Sequence, residues 1–171
     1  AEGMRDFGPS MSPMNAFNIL TGIETLSLRM DKHISNTAIM VDYLSSNENV
    51  TWVNHPSLPD HPDHEVAKKL MPNGQGSMIA FGIKGGREAG QAFINSMKLT
   101  SHLANVGDAK SLVIHPASTT HSQMDKKSLE LAGLTDDMIR FSVGLEDMDD
   151  IINDFNNGFR ASQKPRLVAS R

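Results

Sequence analysis

The sequence has no cysteine at all. That excludes a disulfide framework, a thiolate nucleophile and cysteine-ligated zinc. It has no excess of positive charge either: 16 lysines and arginines face 20 aspartates and glutamates. A nucleic-acid binder normally carries a basic field, so that class is set aside. No apolar stretch approaches the length of a membrane span and no signal-peptide pattern opens the sequence, so a cytoplasmic protein off the membrane is expected. No segment repeats. What is present is an ordinary globular composition, 39% hydrophobic and 21% charged over 171 residues, enough for one domain with a proper core. Eleven methionines are many; as unbranched, adaptable side chains they read mostly as core filler.

Residues 1–13 read as loop, with Gly8, Pro9 and then Ser12-Pro13. Serine before proline suits a helix N-cap followed by a first-turn proline. From Met14 apolar residues recur at Phe17, Leu20, Ile23, Leu26, Met30, Ile34, Ala38 and Val41. Steps of three and four predict one long helix over 14–46. Strands are predicted at 50–53, 77–83, 99–104, 111–115 and 139–143, and shorter helices at 65–71, 87–97, 126–132 and 147–159. The last helix opens with Glu146, Asp147, Asp149 and Asp150, the sign its N-terminal dipole favours. Interspersed strands and helices imply an α+β fold: a mostly antiparallel sheet with helices packed on one face, preceded by the long helix. The expected division is a linker at 1–13, a domain at 14–160 and a tail at 161–171.

Reactive side chains gather in a few places. SLVIHPASTTH (111–121) offers Ser118 and His121 as a nucleophile and base, but no G-x-S-x-G elbow surrounds the serine. NHPSLPDHPDHE (54–65) holds His55, His61 and His64 among carboxylates; it reads as a proline-punctuated loop more readily than as a zinc site. In MIRFSVG the apolar Ile139, Phe141 and Val143 share one strand face, which leaves Arg140 and Ser142 on the other. Arg140 is then either a solvated strand residue or a planar fork for a carboxylate. Asn105-Val106-Gly107-Asp108 is either a plain turn or a loop presenting an amide and backbone N–H groups to an anion.

Three stretches, in order and spacing, carry a resemblance: FGPSMSP (7–13), SHLANVGDAKSLVIHPASTTHSQ (101–123) and IRFSVGLED (139–147). They resemble the C-terminal part of the pyridoxal-phosphate-dependent Cys/Met metabolism family, in its O-acetylhomoserine sulfhydrylase branch. Cystathionine γ-synthase and methionine γ-lyase share the HPAS and Arg-x-Ser-Val-Gly elements. Most relatives carry serine where this sequence has Asn105, which tilts the reading to the sulfhydrylases.

The resemblance implies the small C-terminal domain of an aminotransferase-like, fold type I enzyme. Such a domain closes over an amino-acid substrate, while a larger N-terminal domain holds the pyridoxal phosphate. It implies that Arg140 binds the substrate α-carboxylate, that Asn105 assists beside it, and that Val106, Gly107, Ser111, His115 and Ser118 build the pocket wall. It implies exchange of the acetate of O-acetyl-L-homoserine for sulfide or a thiol, in a homo-oligomer, with no metal. One departure limits this. The family forms its imine on the lysine of a Ser-x-Thr-Lys motif, whereas the lysines here, at 32, 68, 69, 84, 98, 110, 126, 127 and 164, never follow threonine. The chain is therefore expected to be a fragment that supplies the carboxylate half of the site, has no catalytic residue or bound cofactor of its own, and is inactive alone. The other readings are a freestanding, non-catalytic binding or interaction module, or another family member such as cystathionine γ-synthase or methionine γ-lyase.

Overall fold

A computed structural model of the chain describes residues 2–3, 8, 10–119 and 123–163. Six helices are described: Pro13–Glu24 (α1), Leu26–Ser45 (α2), His64–Leu70 (α3), Gly86–Ser96 (α4), Lys126–Leu131 (α5) and Met148–Ser162 (α6). Four strands accompany them: Val50–Asn54 (β1), Met78–Ile83 (β2), Leu112–Ile114 (β3) and Met138–Ser142 (β4). The chain divides into two units, residues 1–31 and 32–171.

In the first unit Ser12 caps α1 as expected, its hydroxyl accepting from the Asn15 N–H at 3.1 Å, with Pro13 in the first turn. The single long helix does not form. The Arg29 guanidinium donates to the Gly22 carbonyl, and the Thr25 N–H turns to Ile23, so the i→i−4 ladder breaks between Glu24 and Leu26. No residue of α1 is buried; Met14, Phe17 and Leu20 are each more than 60% exposed.

The second unit is built on one antiparallel sheet of order β1-β2-β4-β3. Alternation along the strands sends Phe81, Ile79, Phe141, Ile139 and Val113 to one face. There they meet Met40, Val41 and Leu44 of α2, Phe93 and Ile94 of α4, and Ile151, Phe155 and Phe159 of α6. Aromatic edges and faces interlock at the centre: Phe141 and Phe155 stand 4.7 Å apart by ring centroid, Phe93 and Phe159 4.9 Å. The fold is the expected α+β layer, helices on one face of an antiparallel sheet.

Two details differ from the pattern. The buried stripe of α2 in this unit runs through His33, Asn36, Thr37, Met40, Val41 and Leu44, while Ala38 is exposed. Polar side chains occupy the buried positions because they have buried partners, described below. The strand foreseen at 99–104 is reduced to a bridge between Ser101 and Leu112. The reason is Asp154 of α6, whose carboxylate accepts from the N–H groups of Lys98, Leu99 and Thr100 at 2.8, 3.1 and 2.8 Å. Donors held by a carboxylate are not available to a ladder.

Candidate functional site

The face of the sheet opposite the core carries a row of paired residues, Asn54, Ala80, Arg140 and Ile114, one from each strand. Ala80 contributes only a methyl group, so the row dips beside the one cation. Arg140 is half-buried. Its Nη2 lies 4.0 Å from the Met78 sulfur, and Met78 is the partner of Ser142, two residues along β4. The side chain therefore runs towards the end of the sheet where Leu112, also opposite Ser142, begins β3. Among the described residues no carboxylate pairs with Arg140; the ion pair they do form joins Arg87 to Asp136 at 4.0 Å on the exposed surface. A planar cation on a recessed floor, with most of its N–H donors unspent, is fitted to bind a carboxylate through two parallel hydrogen bonds.

The loop bearing Asn105 leads into that same end of the sheet. Its side chains bond locally: Asn105 Oδ1 accepts from the Val106 N–H at 2.9 Å, Asn105 Nδ2 lies 3.5 Å from Asp108 Oδ2, and Asp108 Oδ1 accepts from the Lys110 N–H at 3.0 Å. Asn105, Val106 and Gly107 are exposed. No hydrogen bond among the described residues joins this loop to Arg140.

Ser111 and His115 are fully buried and act behind the surface. Ser111 donates from its hydroxyl to Glu146 Oε2 at 2.8 Å and from its N–H to Glu146 Oε1 at 2.7 Å, and its Oγ accepts from the Gly144 N–H at 2.9 Å. A side chain at Gly144 would run into Glu146 and the Ser111 backbone, so only glycine permits this approach. From α2, the His33 Nδ1–H donates to the Val143 carbonyl at 2.7 Å, and Asn36 Nδ2 donates to the Gly144 and Glu146 carbonyls at 2.9 and 3.0 Å. These bonds fix the chain just after β4, and with it the height at which Arg140 stands. The sequence pattern did not mark His33, Asn36, Glu146 or Asp154 as organisers; the one available signal was polar residues on a stripe that helical spacing sends inward.

His115 Nε2–H donates to the Asp136 carbonyl at 2.8 Å, which leaves Nδ1 to accept the Ser118 hydroxyl at 2.8 Å. Burial holds the imidazole pKa below its ordinary value, an effect the Asp136 carbonyl partly offsets. The ring fills the space over Gly90, where a Cβ would lie 2.7 Å from Cδ2. This arrangement locks the turn at Pro116–Ser118 after β3. His121, the other member of the Ser/His pair, lies outside the described residues.

The histidine-rich loop is locked in the same way. His55 Nδ1 pairs with the Ser57 hydroxyl at 2.7 Å, His61 Nδ1 accepts from the Asp63 N–H at 3.0 Å, and His64 Nδ1–H donates to the Pro56 carbonyl at 2.9 Å. Among the described residues no three His, Asp or Glu side chains converge as a metal site. None of the described helices is long and apolar enough to cross a membrane.

Comparison with known proteins decides the family. Residues 2–160 match the family model for Cys/Met metabolism PLP-dependent enzymes. The chain belongs to that family. It is 47% identical over 150 residues to an O-acetyl-L-homoserine sulfhydrylase of Thermus thermophilus, covering 88% of this chain and 36% of that protein. It is 47% identical over 152 residues to a homocysteine synthase of Schizosaccharomyces pombe, covering 89% and 35%. Among solved structures, a cystathionine gamma-lyase from Lactobacillus plantarum complexed with L-serine superposes with a TM-score of 0.82 at 34% identity, over 92% of this chain and 41% of that one. The chain thus spans little more than a third of the curated relatives it matches.

A pyridoxal-phosphate enzyme needs a lysine amine for its cofactor, held in a pocket beside groups that tune the ring. The lysines whose side chains are described, at 32, 68, 69, 84, 98, 110 and 127, are all exposed on helices and loops. None stands on the Arg140 face of the sheet, so the described residues of this chain do not fit the family's cofactor. What they offer on that face is the guanidinium fork of Arg140, a group whose geometry matches a carboxylate.

Proposed function

We propose that residues 14–160 act as the C-terminal, substrate-closing domain of a cytoplasmic, homo-oligomeric enzyme that exchanges the acetate of O-acetyl-L-homoserine for sulfide or a thiol. Residues 1–13 act as the connection to the domain that carries pyridoxal phosphate, and 161–171 as a tail. Arg140 grips the substrate α-carboxylate; Asn105, with the backbone of Val106 and Gly107, closes beside it; Ser111, His115 and Ser118 shape the wall from behind. Fixing the acid end of the substrate takes away rotation about its Cα and presents the opposite end to the rest of the enzyme, which performs the bond-breaking chemistry.

One observation carries this reading: a half-buried arginine on the non-core face, over a methyl-sized floor, with no carboxylate partner among the described residues. The sulfhydrylase and homocysteine synthase names of the relatives support the donor and the product. The test is Arg140→Ala in the enzyme that contains this chain. Removing the fork leaves the substrate carboxylate buried and unpaired, a loss of about 2–5 kcal/mol. That corresponds to roughly 30-fold or more in kcat/KM for O-acetyl-L-homoserine. Unchanged kinetics would remove Arg140 from the site and the reading with it.

A further inference from the structure

We propose that Met78 is a positioning residue for Arg140: its thioether holds the guanidinium in place over the open face before a carboxylate arrives. This rests on the carboxylate-binding reading of Arg140. Met78 opens β2, is paired directly with Ser142, and stands diagonally from Arg140, within reach of a long side chain. Its Sδ is 4.0 Å from Nη2, and both residues are half-buried. Ala80, paired with Arg140 itself, is too short to touch the fork, so Met78 is the β2 side chain that sets its direction. The end of β2 is held in turn, since the Val143 N–H donates to the Ser77 carbonyl at 2.9 Å.

The chemistry of sulfur suits the task. A thioether is a weak acceptor and a soft, polarizable surface, so it can face an N–H without neutralising the cation. A carboxylate at the same position would occupy the fork and compete with the substrate. A purely aliphatic residue would fill the space and leave the N–H without an acceptor. Arginine carries large rotamer freedom, and a fork already held loses less of it on binding. Met78 thereby contributes to affinity without touching the ligand.

The experiment uses the 171-residue chain with 15N-labelled arginine, and O-acetyl-L-homoserine as the probe. The Arg140 Nε–Hε resonance is assigned by its loss in Arg140→Gln. In Met78→Leu that resonance should move and narrow towards the position of a freely rotating arginine, before any ligand is added. The dissociation constant should rise about two- to tenfold, the value of one weak hydrogen bond plus lost preorganisation. Met78→Gln, which returns an acceptor of similar length, should recover most of both signals. A merely packing role would lower the melting temperature of Met78→Leu while the resonance stays in place, with nothing for glutamine to rescue. If Met78→Leu changes neither resonance nor affinity while Arg140→Gln abolishes binding, the positioning role is overturned and the carboxylate reading stands. If Arg140→Gln binds the probe as the unchanged chain does, the carboxylate reading fails and this proposal fails with it. Should affinity be too low to measure in every form, the ligand-free resonance decides alone.

Discussion

The two faces of the sheet are made by the same strands and obey opposite rules. On one face Ile139 and Phe141 of β4, Ile79 and Phe81 of β2 and Val113 of β3 are at most 1% exposed and belong to one apolar cluster. On the other, residues from the same strands, Met78, Ala80 and Arg140, are half-buried and leave a cation with donors to spare. The first face is thus wholly packed, while the second, where Leu112, Ile114 and Ser142 are also buried, keeps a half-buried cation, one residue apart in sequence. A protein that must carry a guanidinium at a fixed height needs both. Strand pairing sets the position of the Arg140 backbone, and the packed face behind it makes that pairing rigid.

The two faces should separate cleanly under mutation. Phe141→Ala removes a fully buried ring that meets Phe155 and should cost about 3–5 kcal/mol of stability, read as a lowered urea midpoint. Arg140→Gln should do the reverse, shifting stability by less than about 1 kcal/mol while removing carboxylate affinity. If Arg140→Gln unfolds the chain, the guanidinium belongs to the architecture and the division between faces is wrong.

Much of the core face was legible in advance, because it depends on local pattern. Ile79, Phe81 and Ile83 alternate, and Ile151, Phe155 and Phe159 recur at helical spacing, so their burial followed from periodicity. The outward direction of Arg140 followed from the same alternation. What pattern could not supply were contacts between distant segments. The lost strand near residue 100 depends on a carboxylate 54 residues further on. The inward stripe of α2 includes His33 and Asn36 because carbonyls about 110 residues away, after β4, await them. The neighbour of Arg140 was hidden too, since Met78 comes beside it only through the strand register. Polar residues that look misplaced on a helical wheel were the one hint of such long-range bonds.

Asp154 offers a test between these extremes, since it is polar yet lies on the packed side. Its carboxylate holds three N–H groups at the foot of the segment that leads to the Asn105 loop. Asp154→Ala should lose about 2–3 kcal/mol of stability, the scale of charge-assisted bonds left unmade. Amide exchange should rise at Lys98, Leu99 and Thr100, with smaller changes across the sheet. Exchange rising equally everywhere would show that Asp154 supports the whole fold and leaves the loop approach without a dedicated anchor.

The smallest expected effect comes from protonation behind the wall. Burial depresses the pKa of His115 more than the Asp136 carbonyl raises it, and burial depresses that of His55 as well. A group whose folded pKa lies below its unfolded value binds a proton more readily in the unfolded chain. Stability should thus be complete above the unfolded histidine value near about 6.5, fall as the pH drops below it, and level off once the folded-state value is passed. For His115 the cost has a visible origin. The Nε2–H is already given to Asp136, so the added proton must sit on Nδ1, where the Ser118 hydroxyl now donates. That hydroxyl would have to turn to the His115 carbonyl, 3.3 Å away, a weaker alternative. His115→Gln can keep a donor and an acceptor without titrating, so urea midpoints measured between pH 7.5 and 5 should fall less steeply in that variant. A slope identical to that of the unchanged chain would mean that His115 takes up its proton at the same pH folded and unfolded, so that burial does not depress its pKa and the turn after β3 is indifferent to the proton.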